Sequence, residues 1–431
     1  MVALGAPVAG SLVRGLGTWQ ILFIAIGGTI GLGFATTTGE VLAISGPAGV
    51  LTAFAVVGIV AIAVMEGICE MIVLWPISNA MIEFVRTFVD RDLAIVVGIA
   101  YWYTYSITMA ALIIESANLL TYWSSEVSYH VIAILLFLLV IFAINSRGVK
   151  VFGWIELFGG ILKVLFVLAI FILMICVNTG AIGNARSLGA QFFNDGFQNN
   201  PSVAKTKAEA VLVSIPLAIF SYIGVELLTV TAFEAANPSR LKGPTKHIAY
   251  IITVIYLVTI GGFVANLEWF NQNLPNFIDQ SRVSLNSTNV LTGRTPHEWG
   301  AYSSHNSTAA PIIALLQVGL NITPAIINGI LIYAGLSTAN TALYVASRTM
   351  YGLTRDLSST SENIMVRIFA KLNTVSPTTR IPVWALIVSC LAFACWTPWI
   401  KMPEFNSTSA TDTPLWALAV SDVFWFGHPN V

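Results

Sequence analysis

Six ionisable residues sit inside otherwise apolar stretches of this chain: Glu66, Glu70, Glu115, Glu156, Lys163 and Glu226. A charge in a lipid-spanning segment is costly, and where one persists it is paired or marks a path for substrate, ion or proton. Lys163 is the informative member. An amine held away from water can take up and release a proton during a cycle; it can also stay charged beside a carboxylate and serve structure. Glu66 lies one helical turn before Glu70 on the same face. Glu40 and Glu234 lie near span ends. Pro76 ends the Glu70 segment and Asn237-Pro238 follows Glu234, so Glu70 and Glu234 read as gating or structural positions.

A second feature carries chemistry through the backbone. Gly27-Gly28-Thr29-Ile30-Gly31-Leu32-Gly33-Phe34 falls within the first apolar stretch. Glycine in a helix interior costs about 1 kcal/mol relative to alanine. In a bilayer a helix break survives only where it is buried in protein or lines a cavity. Free N–H groups at the start of the second half-helix would favour an anionic group. An interrupted span therefore points to a site near the membrane midplane. The Gly27-xxx-Gly31 spacing also suits close helix packing.

These residues must be positioned by membrane helices. The chain has 431 residues, 56% hydrophobic and 10% charged, with mean hydropathy +0.80; soluble domains are about 25% charged. The expected fold class is an all-α polytopic membrane protein. Apolar runs of about 20 residues predict spans near 18–38, 48–72, 93–122, 130–146, 152–177, 211–233, 248–267, 311–347 and 382–400. A net charge of −1 gives no nucleic-acid footprint. Cys69, Cys176, Cys390 and Cys395 lack metal or disulfide spacing and read as structural thiols. The histidines His130, His247, His297, His305 and His428 lie in loops or at span edges. They suggest neither a zinc site nor a nucleophile–base pair, so no metal, cofactor or enzymatic activity is expected. The N-terminus lacks the basic and short apolar regions of a cleaved signal peptide, so the first span is expected to do the targeting.

With a cytoplasmic N-terminus, Arg14, Arg86, Arg91, Arg147, Lys150, Arg240, Lys242, Lys246, Arg348, Arg355, Arg367, Lys371 and Arg380 fall inside. Arg186, Lys205, Lys207, Arg282, Arg294 and Lys401 fall outside. The inner side has the excess, as the positive-inside rule requires. Three glycosylation sequons, at Asn286, Asn306 and Asn406, fall on the outer side of the same topology.

In combination, the motifs resemble a fungal amino acid permease of the amino acid–polyamine–organocation superfamily. They are GGTIGLGF at 27–34 with Gly46-Pro47-Ala48-Gly49, then Glu70-Met71 with Pro76 and Ser78, then Gly98 to Tyr101-Trp102 ending at Tyr122-Trp123. Asn145, Phe152-Gly153, Glu156 and Lys163-Val164 follow, with Phe220-Ser221-Tyr222-Ile-Gly224-Val-Glu226-Leu227 and Thr231 to Pro238. The last are Asn328, Asn340 and Tyr344 to Gly352. The resemblance covers residues 18 to about 400. It implies a LeuT-like fold of two inverted five-span repeats, with substrate held between broken spans 1 and 6. The implied organisation is a short cytoplasmic N-terminus (1–17), a first repeat (18–177), an extracellular loop (178–210) and spans 6–9 (211–400) with an extracellular loop at 268–310. A final segment (401–431) leads into an incomplete span 10.

The resemblance also assigns roles. Ile30, Gly31, Leu32 and Gly33 fall on the carboxylate side of an amino acid site. Phe220, Ser221, Tyr222 and Gly224 provide carbonyls and an aromatic gate. Lys163 stands where some relatives hold a sodium ion, and Glu226 resembles a proton-sensing glutamate; the alternative for Glu226 is a neutral carboxyl bonded to the broken helix. The expected function is proton-coupled uptake of amino acids across a fungal plasma membrane. The alternatives are a non-transporting amino acid sensor of the same fold and an inactive truncated product.

Three positions depart from the family pattern. Leu32 replaces a threonine, Asn79-Ala80 replaces Gly-Ser, and Leu112 occupies the place of a glutamate, with Glu115 three residues later. A neutral or aromatic substrate fits the apolar Leu32 and Phe220.

Overall fold

The glycine-rich stretch interrupts the first span. Helix α1 runs Thr18–Thr29 and helix α2 begins at Gly33, with Ile30 to Leu32 between them. The computed structural model describes residues 16–394, apart from 76, 78, 125, 184–186, 202, 232–241, 272–273, 276–306, 356, 358–359, 361 and 378. Glu234, the sequons at Asn286, Asn306 and Asn406, and the segment from 401 onward lie outside the described residues.

Helix α2 continues to Leu74, which corrects the expected connector between residues 38 and 48. The chain stays helical there and kinks instead. Gly46 has φ +72°, and Pro47 follows it without an amide proton. The carbonyls freed by the kink are not left bare. Asn200 N–H donates to the Ile44 carbonyl and Gln198 N–H to the Ser45 carbonyl, each at 3.0 Å. A Cβ on Gly46 would meet Gln198 at 2.8 Å, so a connecting loop and the kink fit only with glycine.

The remaining helices are α3 Ala80–Phe88, α4 Arg91–Asn118, α5 Val127–Asn145, α6 Val149–Asn178, α7 Lys207–Tyr222, α8 Leu228–Thr231, α9 Lys242–Val264, α10 Ala310–Gln317, α11 Ile322–Thr354, α12 Ile364–Ala370 and α13 Val383–Ala394. Helix α4 starts where Asp90 accepts from the amides of Asp92 and Leu93, both at 2.9 Å. The predicted span 311–347 is two elements. A turn with Gly319 at φ +79° separates α10 from α11.

Among the described residues, seven helical stretches are long and apolar enough to cross a membrane. The first, Thr18–Ile72, has 55 residues. At about 1.5 Å per residue it exceeds twice a hydrocarbon core of about 30 Å, so break and kink together allow two crossings. Leu135, Leu136 and Leu139 of α5 and Phe158, Leu162 and Leu165 of α6 are exposed. In water such faces would be liabilities; in a bilayer they contact lipid.

Helix α2 packs along α7 and α9, α4 along α11, and α1 along α6. Rings of Phe34, Phe54, Tyr222, Tyr256 and Phe263 fill the seam between α2, α7 and α9. The Tyr222 and Tyr256 centroids lie 5.1 Å apart and those of Phe34 and Tyr256 5.7 Å apart. This seam fixes the end of α7 against the start of α2.

Candidate binding site at two helix breaks

Helix α7 ends at Tyr222, and Gly224 carries φ +108° before the short turn Val225–Leu227 leads into α8. A Cβ at Gly224 would lie 2.8 Å from the Gly28 carbonyl oxygen. The second broken helix therefore meets the first with its backbone almost in contact.

Polar groups hold the junction together. The Tyr256 hydroxyl of α9 lies 2.8 Å from the carbonyl oxygens of both Thr29 and Ser221, its single proton shared between the two breaks. Lys163 of α6 donates to the Gly27 carbonyl and, at 3.0 Å, to Thr338 Oγ1 of α11. Two turns earlier on α6, Glu156 accepts from Asn340 Nδ2 at 2.7 Å and from Ser337 Oγ at 3.0 Å. Asn145 of α5 donates to Asn340 Oδ1 at 2.8 Å and extends this network to a third helix. Lys163 and Glu156 are both buried, and their opposite charges interact. Helix α11 thus satisfies the two charged groups of α6 separately, one through Thr338 and the other through Ser337 and Asn340.

A cavity opens at the junction. It is lined by Gly28, Thr29, Gly31 and Gly33 of the first break, Phe220, Ser221, Ile223 and Leu227 of the second, Tyr105, Thr108 and Leu112 of α4, and Thr338, Thr341 and Ala342 of α11. Its free space, ≈ 20 Å³, is close to that needed by one water. The Phe220 ring lies against Gly33, where an added Cβ would be 3.1 Å from it. Ser221 donates to Thr37 Oγ1 at 2.9 Å, because the Thr37 hydroxyl is committed to the Gly33 carbonyl at 2.7 Å.

The cavity has two backbone poles. In α2 the first amides bonded within the helix are those of Ala35 and Thr36, both to the Leu32 carbonyl. The amides before them belong to a helix N-terminus and have no acceptor inside the helix; they suit an anionic group. The C-terminal carbonyls of α7 supply the acceptor pole.

Of the residues singled out from sequence, Gly31, Gly33, Phe220 and Ser221 line this cavity. The others are placed differently. Ile30 is buried outside the lining, and Leu32 packs against Gly335 of α11. Tyr222 turns into the aromatic seam and donates to the Phe54 carbonyl at 3.0 Å. Gly224 sits behind the wall against Gly28. Glu226 accepts from the cavity-lining Tyr105 hydroxyl at 2.5 Å and from Gly224 N–H at 3.3 Å. Glu70 is exposed near the end of α2. It is Glu66 that accepts from the Tyr250 hydroxyl, at 3.0 Å, and links α2 to α9.

Glu115 does not line the cavity, whereas Leu112, one turn before it, does. Glu115 is buried instead, near enough to the buried Glu40 of α2 for the two carboxyls to repel when both are charged. Sequence reasoning did not select Tyr105, Thr108, Thr338, Thr341 or Tyr256. Tyr256 carries no local signal at all, since its partners are backbone carbonyls far along the chain.

Two interrupted membrane helices that meet at a cavity, with a buried lysine behind it, are the features of a LeuT-like helical membrane fold. Solved structures agree. A sodium-coupled sialic acid symporter aligns at TM-score 0.58 with 12% identity, covering 90% of this chain and 75% of that one. The nucleobase-cation-symport-1 family transporter Mhp1 aligns at TM-score 0.53 with 14% identity, covering 97% and 78%. The amino acid permease family model matches residues 20–427, and the chain belongs to that family. Relatives include the S-adenosylmethionine permease GAP4 of Candida albicans, 29% identical over 79% of this chain and 51% of that protein. The lysine-specific permease LysP of Lactococcus lactis is 28% identical over 81% and 65%, and the general amino-acid permease GAP1 of Saccharomyces cerevisiae 26% over 78% and 52%. The chain spans about half to two thirds of the length of these relatives.

Proposed function

We propose that this chain forms the substrate-binding part of a secondary active amino acid transporter that works by alternating access, with uptake coupled to protons. The observation that carries the reading is the convergence of the two helix breaks on one cavity. The substrate carboxylate is assigned to the amides at Gly31 to Gly33. Its ammonium is assigned to carbonyls at the end of α7. Phe220, packed on Gly33, is the gate, and the small free volume fits a nearly closed state that must open to load. Lys163 is assigned to proton coupling because it bonds the first break directly. Glu226 is assigned to the same path through Tyr105.

The N-terminus is assigned to the cytoplasm from the excess of Lys and Arg on that side. The plasma membrane is the proposed location, with Asn286, Asn306 and Asn406 glycosylated on the outer face. Uptake of a labelled amino acid panel in a permease-deficient yeast tests the function. Saturable accumulation that collapses with a proton uncoupler is the expected result. Binding without accumulation would instead identify a sensor.

A further inference from the structure

We propose that the cavity selects amino acids of net charge zero with short aliphatic side chains, and that Leu112 sets this selection. The inference rests on the amino acid reading of the cavity given above.

Helix α4 presents Tyr105, Thr108 and Leu112 to the cavity at spacings of three and four, one face of one helix. Across from them stand Ile223 and Leu227 of the second break and Ala342 of α11. Among the described residues, no lysine, arginine, aspartate or glutamate lines the space. The nearby ionisable groups have other engagements. Lys163 is bonded to Gly27 and Thr338, and Glu226 to Tyr105 and Gly224. Glu115 and Glu40 are buried outside the lining.

The two zwitterion poles are met by backbone. What remains to read the substrate's side chain is Leu112, Phe220, Ile223, Leu227, Ala342, the Thr108 hydroxyl and hydroxyls that already donate to protein partners. Thr338 donates to the Ala334 carbonyl at 3.0 Å, and Thr341 to the Ser337 carbonyl at 3.2 Å. A charged substrate side chain would lose its water here and find no counter-charge. Every amino acid needs the cavity to open past Phe220, and a large aromatic side chain would in addition have to displace Leu112. Leu112 is in the wall itself, so a glutamate at that position would put a carboxylate there.

Equilibrium binding to the purified full chain in proteoliposomes tests the proposal. Tritiated valine is the probe, and unlabelled alanine, leucine, tryptophan, lysine and glutamate are the competitors. Alanine is expected to compete within about tenfold of valine, and lysine, glutamate and tryptophan at least about 100-fold more weakly. Leu112→Glu should raise lysine competition relative to valine at least about tenfold. Leu112→Ala, the gentler variant, should move the preference from valine toward leucine. Lysine or glutamate matching valine in the native chain, or unchanged competitor ratios in Leu112→Ala, overturns the proposal. If no labelled amino acid binds at all, including lysine and glutamate used directly as probes, the amino acid reading itself fails.

Discussion

Asn340 Nδ2 lies 2.7 Å from Glu156 Oε1, joining α11 to α6 inside the membrane-spanning bundle. Both residues are buried, and Asn145 donates to the other end of the same amide, so one asparagine side chain connects three helices. Removing a partner of a buried charge costs more than removing the pair, because the remaining group keeps its desolvation penalty.

Asn340→Ala is therefore expected to destabilise the folded protein by about 2 kcal/mol. Thermal unfolding in detergent, followed by loss of monodisperse protein, measures this. The double change Asn340→Ala with Glu156→Gln should lose less than the sum of the two single losses, since both singles break the same bond. A double variant that is worse by the sum of the two single losses would argue against a direct pair.

Lys163→Met should abolish pH-driven uptake while the protein still reaches the membrane. The methionine fills a similar volume but cannot donate to the Gly27 carbonyl or to Thr338. Uptake measured across a pH series, beside surface expression, decides it. An unaltered pH profile would remove Lys163 from coupling.

Tyr256→Phe keeps the ring in the aromatic seam and deletes the proton shared by Thr29 and Ser221. The expected loss of stability is small, about 1 kcal/mol. The larger effect should appear as a raised KM, because the two backbone poles are no longer held at a fixed separation. Uptake kinetics separate the outcomes; a lowered maximal rate at unchanged KM would place Tyr256 in the conformational step instead.

Gly224→Ala should impair folding. The residue has φ +108°, and the new Cβ would press on the Gly28 carbonyl at 2.8 Å. Backbone strain of this kind costs on the order of 1–3 kcal/mol before the clash is counted. Yield of monodisperse protein after solubilisation is the readout, with Gly261→Ala as control, since an added Cβ there meets nothing within 4 Å.

The sequence by itself determined the class of the protein and the location of its discontinuities. Apolar runs with few charges have one stable solution in lipid, the helix, so the all-helical membrane class was readable from composition and length. Four glycines between 27 and 33, and the Phe220–Glu226 motif, marked where those helices break, because backbone irregularity is a local property. The continuity of α2 through residues 39–47 was not readable. Gly46-Pro47 signals an end to a helix unless distant amides, here those of Gln198 and Asn200, donate to the freed carbonyls. The direction of each side chain was a tertiary matter too. Leu32 in the break turns to Gly335, while Leu112, well inside the regular helix α4, reaches the cavity. Which residues converge depends on how helices pack, and only the packed bundle brought Lys163, Thr338 and Tyr256 onto the backbone of the glycine break.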